Sequence, residues 1–132
     1  MQEARFEPIQ YQVIPDDPAQ LLALVEAQKN QYPLILTVGG TGLGPKDLTV
    51  ETLQPLLKRE IPGLMEASRS FGQKRTPYAA LSRGVAGYID QSLVITLPGS
   101  RQGAKESLTA ILPALVHLFD VQKNIPHAGG YE

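Results

Sequence analysis

The sequence contains no cysteine and no tryptophan, and it has few aromatic residues of any kind. Without cysteine, the chain has no disulfide framework, no thiolate zinc site and no cysteine nucleophile, which fits a reducing cytoplasm. Aromatic residues make up 6% of the chain, which disfavours the base-stacking platforms of single-strand nucleic-acid binders. The chemistry of this protein is therefore expected to rest on backbone groups, hydroxyls and charged side chains.

The chain also has no large excess of one charge sign and no long apolar run. The chain has 12 Lys and Arg against 13 Asp and Glu, which excludes a protein held to nucleic acid by bulk positive charge. No apolar run approaches the ~18–20 residues of a membrane span, and the N-terminus lacks the apolar region of a signal peptide. We therefore expect a cytoplasmic protein with neither a membrane nor a nucleic-acid partner.

The pattern along the chain predicts one α/β domain. Residues 9–13 alternate apolar and polar side chains, which predicts a strand, and Asp17 with Pro18 is suited to begin a helix. Residues 34–38 and 92–97 are rich in apolar side chains, which is typical of strands in a mostly parallel sheet. The 132 residues predict a single domain over 1–132, with an ordered core over 5–123 and a tail over 124–132.

Two glycine-containing loops, 39–47 and 98–103, directly follow predicted strands. In α/β sheets, ligands bind at the carboxyl ends of strands, and glycines let backbone N–H groups approach an anion closely. The first loop is not a Walker A motif, because Pro45 stands where that motif needs lysine, and it lacks the third glycine of a Rossmann fingerprint. The simpler alternative is a flexible turn between a strand and a helix.

Asp47 ends the first loop, and it has two interpretations. As a structural residue it would cap the next helix beside Thr49. As a functional residue it would hold a hydrated Mg²⁺ against phosphate oxygens. The two histidines lie far apart in the sequence, so we predict neither a metal cage nor a catalytic triad. Chemistry done by positioning, cations and backbone donors remains, and phosphoryl and nucleotidyl transfer are of that kind.

Five segments occur in an order that is specific to one family. They are Ile14-Pro15-Asp16-Asp17, Thr37-Val38-Gly39-Gly40-Thr41-Gly42 with Lys46-Asp47-Leu48-Thr49, Ile61-Pro62-Gly63-Leu64-Met65-Glu66, Leu81-Ser82-Arg83 with Gly87, and Leu97-Pro98-Gly99-Ser100 with Gly103. Together they resemble the signature segments of the molybdenum-cofactor biosynthesis domain, with the MoaB/MogA-like proteins as its most similar members. A generic nucleotide-binding α/β domain would explain the glycines but not these ordered segments.

The resemblance implies a three-layer αβα sandwich that forms a homotrimer or hexamer and adenylylates molybdopterin with ATP and Mg²⁺. By position, Asp16 and Asp47 match the catalytic aspartates of the family, with Asp47 the expected magnesium ligand. The residues that match its substrate-binding positions are Gly39, Gly40, Thr41, Gly42, Glu66, Ser82, Pro98, Gly99 and Ser100.

Two departures from the family's pattern qualify this expectation. Proteins of this family open with a strand and a helix ahead of the segment that starts at Phe6, so the chain is expected to be N-terminally truncated. It would be the C-terminal part of a longer domain or of a fusion, for example with a cyclic pyranopterin monophosphate synthase. The alternative function is a non-catalytic molybdopterin-binding or scaffolding module that has lost the nucleotide side. Gln102 also replaces a basic residue, for which Arg101 or Lys105 would substitute.

Overall fold

The computed structural model describes Phe6 and residues 9–122 of the chain. The predicted tail over 124–132 lies outside these residues. The helices are α1 (Pro18–Gln28), α2 (Thr49–Leu53), α3 (Pro62–Gln73) and α4 (Arg101–Gln122), and the strands are β1 (Leu34–Val38), β2 (Arg59–Glu60), β3 (Ala86–Ile89) and β4 (Ser92–Leu97). Short 3₁₀ turns follow α2 at Gln54–Leu56 and α3 at Pro77–Leu81.

The sheet is mixed rather than mostly parallel, which corrects the sequence-based prediction. Its strand order is β1-β4-β3-β2, and of these neighbours β1 and β4 are parallel whereas β3 pairs antiparallel with both β4 and β2. Asp90 and Gln91 connect β3 to β4 as a two-residue turn, with Asp90 at φ +52°. Such a tight turn reverses the chain, so the two strands that it joins must be antiparallel.

Residues 9–13 do not form a strand, so the prediction for this segment is wrong. The side chains of Tyr11 and Val13 are 88% and 78% exposed. Alternation marks a segment that could lie on a sheet, but a strand also needs a neighbouring strand to pair its N–H and C=O groups. Within the described residues, this segment has no such neighbour, and β1 is the edge strand of the sheet. The parallel pair of the fold is instead β1 with β4.

The three-layer arrangement predicted for the chain is confirmed, because the sheet has one apolar core on each face, covered by helices. One core lies between the sheet and helices α3 and α4, and it contains Leu64, Met65, Ala86, Tyr88, Leu93, Ile95, Leu97, Ile111 and Leu115. The other core lies on the opposite face, where α1 and α2 pack, and it contains Val25, Leu53, Ile89 and Val94. Consecutive residues of β4 alternate between these cores, as the pleat of a strand requires.

Local sequence signals explain where α1 begins and how α4 packs. The Asp17 side chain accepts a hydrogen bond from the N–H of Ala19 at 3.0 Å, with Pro18 in the first turn of the helix, as predicted. Helix α4 buries Ile111 and Leu115 against the sheet.

None of the helices in the described part of the chain combines the length and apolar character needed to cross a bilayer.

Candidate functional site

The two glycine-containing loops meet at one edge of the sheet. Because β1 and β4 are parallel neighbours, with Val38 opposite Leu97, the loops that follow them start side by side. The N–H of Gly39 donates to the carbonyl of Leu97 at 2.9 Å. A Cβ atom on Gly99 would lie 3.3 Å from the Cα of Gly39, so a side chain at position 99 would crowd the backbone of the first loop.

A cavity of about 410 Å³ opens beside these loops. Its walls come from both loops, from α3 and the 3₁₀ turn after it, and from the first turns of α4. The sequence-predicted residues that line it are Gly40, Thr41, Gly42, Asp47, Ser82, Pro98, Gly99 and Ser100. Residues from three separate segments of the chain thus surround a single space.

Three of the predicted residues lie elsewhere. Asp16 and Gly39 line a second, broader concavity of about 1660 Å³, bordered by the 9–18 segment, α1, the β1 edge and α4. Glu66 is exposed on α3 and lines neither space. The structure therefore does not place Asp16 in the same cavity as Asp47. The first loop contributes to both spaces, since Lys46 lines the second one.

Asp47 folds back into its own loop. Its Oδ2 accepts a hydrogen bond from the N–H of Gly44 at 2.8 Å. It does not cap α2, because the N-cap position is Leu48, which makes no side-chain capping bond. Asp47 is half-buried and lines the cavity, so its carboxylate is both a brace for the loop and part of the cavity wall.

The two predicted serines have local structural contacts as well as places in the cavity wall. Ser100 accepts a hydrogen bond from the N–H of Gly103 at 3.0 Å, which caps the start of α4. Ser82 accepts one from the N–H of Gly84 at 3.4 Å. Each serine therefore braces its own turn of the backbone beside the cavity.

Arg83 is the residue that the sequence interpretation missed. It stands in the Leu81-Ser82-Arg83 segment, but only Ser82 was assigned a role there. Its guanidinium donates to the carbonyl oxygen of Gly42 at 2.8 Å and to that of Asp47 at 3.0 Å, and it forms an ion pair with Glu51 at 2.6 Å. Two of its acceptors are main-chain carbonyls in a distant loop, which side-chain identity does not reveal.

Further charged groups line the cavity on its α3 and α4 sides. Arg69 donates to the carbonyl oxygens of Ser82 and Gly84, both at 3.3 Å. Arg75 pairs with Glu106 across 2.6 Å. The hydrogen bond from Gln102, followed by the one from Arg75, lowers the pKa of Glu106 below its ordinary value.

Gln102 thus has a role that the sequence did not suggest. Its side chain donates to Glu106 at 3.0 Å, on the same helix. Of the two cations expected to substitute for a basic residue here, Arg101 is not among the residues that line the cavity, and Lys105 lines the broader concavity. Arg69 and Arg75, which come from α3 and the segment after it, supply the positive charge of the cavity wall.

The ion pair between Arg83 and Glu51 should make the stability of the protein depend on pH. The hydrogen bond from Arg83 lowers the pKa of Glu51 below its ordinary value of 4.5. A lowered pKa in the folded state contributes stability that is present above the unfolded-state pKa and lost as the pH falls through the folded-state pKa. We expect Glu51→Gln to be less stable than wild type near neutral pH, and this difference to disappear in acid. Denaturant unfolding at a series of pH values measures it.

The control for this measurement is Glu60→Gln. Glu60 is exposed on β2 and forms no ion pair among the described residues. Its substitution should change stability little at any pH. A Glu51→Gln deficit that stays constant from neutral to acidic pH would contradict an electrostatic role for the pair.

Comparison with known proteins shows which family this chain belongs to. Residues 1–117 match the model of a protein family described as "Probable molybdopterin binding domain". The chain belongs to this family. The resemblance seen in the five ordered segments is therefore confirmed, and with it the α/β fold of the MoaB/MogA-like proteins. The family takes part in molybdenum cofactor biosynthesis.

Individual relatives agree with this assignment. The chain is 42% identical over 117 residues to a molybdenum cofactor biosynthesis bifunctional protein of Chlorobaculum tepidum, covering 88% of this chain and 38% of that protein. It is 33% identical over 113 residues to a molybdopterin adenylyltransferase of Helicobacter pylori, covering 84% and 64% of the two chains. The chain thus spans well under half of the first relative and less than two thirds of the second.

Among solved structures, the molybdopterin biosynthesis enzyme MoaB from Thermus thermophilus superimposes with a TM-score of 0.79 at 44% sequence identity. The match covers 91% of this chain and 79% of that one. The two proteins therefore share the same fold, with the same elements in the same order along the chain.

Proposed function

We propose that the cavity beside the glycine loops binds molybdopterin, and that the chain adenylylates this ligand with ATP and Mg²⁺. The observation that carries the proposal is the convergence of the two loops and Asp47 on one cavity. A heterocycle with a phosphate needs apolar walls, backbone donors and a place for negative charge. The named activity of the Helicobacter pylori relative supports the same reaction.

Asp47 is the residue that fits a magnesium ion. It is the only carboxylate in the 39–47 loop. Among the described residues, no group of three or more His, Asp or Glu side chains could hold a metal ion, so Asp47 would share the ion with phosphate oxygens and water. That mixture of ligands suits Mg²⁺, which keeps several waters and binds through one or two carboxylates. When bound, the ion would neutralise negative charge on the reacting phosphates.

The reaction itself is a nucleotidyl transfer. An oxygen of the molybdopterin phosphate attacks the α-phosphorus of ATP, a phosphoanhydride bond forms, and the bond to pyrophosphate breaks as pyrophosphate leaves. Catalysis of this kind depends on positioning and on electrostatic stabilisation more than on covalent chemistry. In this proposal the backbone N–H groups of the glycine loop orient the attacking phosphate, and Arg69 and Arg75 supply positive charge along the wall of the cavity.

A non-catalytic molybdopterin-binding module is the second candidate, and the position of Asp16 favours it. Asp16 lines the broader concavity and not the cavity that holds Asp47. A chain that keeps the pterin side of the site but lacks a complete nucleotide side would bind the ligand without transferring AMP.

One experiment separates the two candidates. Purified protein is incubated with molybdopterin, ATP and MgCl₂, and adenylylated molybdopterin and pyrophosphate are quantified in a single turnover. We expect both products in equal amounts, and neither when Mg²⁺ is removed with a chelator. Ligand binding without either product would support the binding module, and failure to bind molybdopterin would contradict both candidates.

The assembly is also a proposal. The relative from Chlorobaculum tepidum is named a bifunctional protein. We propose that this chain likewise works beside a second enzyme of the same biosynthesis, such as a cyclic pyranopterin monophosphate synthase, and that it forms a homotrimer or hexamer. Light scattering of the purified protein checks the latter.

A further inference from the structure

Arg83 joins the middle of the glycine loop (39–47), at Thr41 and Gly42, to its last residue, Asp47. Its Nε donates to the carbonyl oxygen of Gly42, and one terminal nitrogen donates to the carbonyl oxygen of Asp47. Its own N–H donates to the carbonyl oxygen of Thr41 at 2.9 Å. The other terminal nitrogen is held by Glu51 in α2. Three carbonyls of one loop are thus captured by a single residue that lies 36 to 42 positions further along the chain.

These contacts decide which way the N–H groups of the loop face. A trans peptide unit is planar, and its N–H points opposite to its C=O. When the carbonyls of Thr41 and Gly42 turn toward Arg83, the N–H groups of Gly42 and Leu43 must turn away from it. The carbonyl of Gly40 accepts a hydrogen bond from the N–H of Thr49 at 3.2 Å. By the same geometry, the N–H of Thr41 points away from Thr49.

The released N–H groups are available to a ligand. Within the described residues, the N–H groups of Thr41, Gly42 and Leu43 have no hydrogen-bond partner. Thr41 and Gly42 both line the cavity, and the Thr41 residue is 4% exposed. Successive backbone N–H groups that converge in a turn make a concave site for an anion. The carbonyls, which would repel that anion, face a guanidinium instead.

An arginine suits this position in a way that lysine does not. A guanidinium presents five donors in a rigid plane, whereas an ammonium is a point charge on a flexible stem. Here the plane reaches two carbonyls and one carboxylate at once. Glu51 holds the guanidinium from the side of α2, so the orientation of the loop depends on a pair of residues that are 32 positions apart.

We propose that Arg83 is a positioning residue, which turns the N–H groups of the glycine loop toward the phosphate of the substrate and holds the backbone of Asp47 in place. This inference rests on the proposed function, since it assigns the phosphate end of the ligand to that loop. Arg83 itself contacts the loop and does not line the cavity. Its loss should weaken recognition of the phosphate more than recognition of the heterocycle.

The test compares Arg83→Lys and Arg83→Ala with wild type, using molybdopterin and its dephosphorylated form as the two probes. Wild type is expected to bind the phosphorylated probe more tightly. Both variants should lose about tenfold or more of that affinity, a change typical of hydrogen bonds to charged groups, and should bind the dephosphorylated probe almost as wild type does. Ethylguanidinium added to Arg83→Ala should restore part of the preference, whereas ethylammonium should not.

A second measurement needs no ligand. Amide hydrogen exchange should accelerate in the 39–47 loop of both variants, while strand β4 in the core keeps its protection. The matched control is Arg59→Ala, because Arg59 lies on β2 over the Tyr88 ring and away from both loops. This control should leave the exchange of the loop and both affinities unchanged.

The outcomes keep the inference and the proposed function apart. If wild type binds neither probe, the proposed function is wrong. If wild type prefers the phosphorylated probe and Arg83→Lys keeps that preference, Arg83 does not orient the loop and the inference is overturned. An equal loss of affinity for both probes, with faster exchange throughout the sheet, would make Arg83 a general stabiliser of the fold and would overturn the inference as well.

Discussion

Asp47→Asn is expected to fold and to bind molybdopterin, yet to lose most of the adenylylation activity. Asparagine keeps a side-chain oxygen that can accept the hydrogen bond from the N–H of Gly44, so the loop should keep its shape. The substitution removes the negative charge that would hold Mg²⁺ beside the reacting phosphates. Loss of a metal-mediated contribution to the transition state typically costs on the order of a hundredfold or more in rate.

The comparison to run is the single-turnover rate and the molybdopterin affinity of the same two proteins. Asp90→Asn is the matched control, because Asp90 lies in the β3–β4 turn and pairs with Lys29 at 2.9 Å, away from both loops. Asparagine also tolerates the positive φ of that position. Equal rates for Asp47→Asn and wild type would leave Asp47 as a brace of its loop. A joint collapse of binding and thermal stability would make its role structural.

Gly40→Ala is expected to lower stability and to abolish ligand binding together. Gly40 has φ +73°, and a Cβ atom built there would lie 2.0 Å from the Oγ1 of Thr49 and 3.2 Å from its backbone N. The left-handed conformation alone costs a non-glycine residue roughly 1–2 kcal/mol. The contact with Thr49 adds to this, so we expect the free energy of unfolding to fall by about 2 kcal/mol or more. Denaturant unfolding and ligand titration measure the two effects.

Two further variants test the reason for this effect. Gly63→Ala is the control, because a Cβ atom there meets nothing within 4 Å and alanine favours the helix. Thr49→Gly removes the side chain that the new methyl group meets, so it should partly rescue Gly40→Ala in a double-mutant cycle. Strict additivity of the two substitutions would argue against the steric explanation. Wild-type affinity in Gly40→Ala would reduce the loop to a turn.

The depth of this expected effect was not evident from the sequence. The glycines of the loop indicated close approach to a ligand, which predicts loss of binding with little loss of stability. In the structure, Gly40 also contacts the first residue of α2, so the same substitution disturbs a helix. The difference arises because a neighbour in space, and not a neighbour in sequence, occupies the side-chain position.

The sequence by itself determined the features that depend on local order. Asp17 and Pro18 predicted the start of α1, since capping needs only residues within one helical turn. The two glycine loops were placed after their strands, and the five ordered segments identified the family before any coordinates were considered.

The tertiary structure alone decided which strands pair, which aspartates share a cavity and what holds the glycine loop. The alternation of residues 9–13 could not show whether a partner strand lies beside them, and a hairpin at Asp90 made the sheet mixed. Asp16 and Asp47 match neighbouring signature segments, yet they line different spaces. Arg83 donates hydrogen bonds to carbonyls that lie 36 and 41 positions away. The sequence cannot indicate which main-chain carbonyls will accept them. Contacts of this kind arise only when distant segments pack, because every residue offers the same carbonyl group and only the fold selects which of them meet a guanidinium.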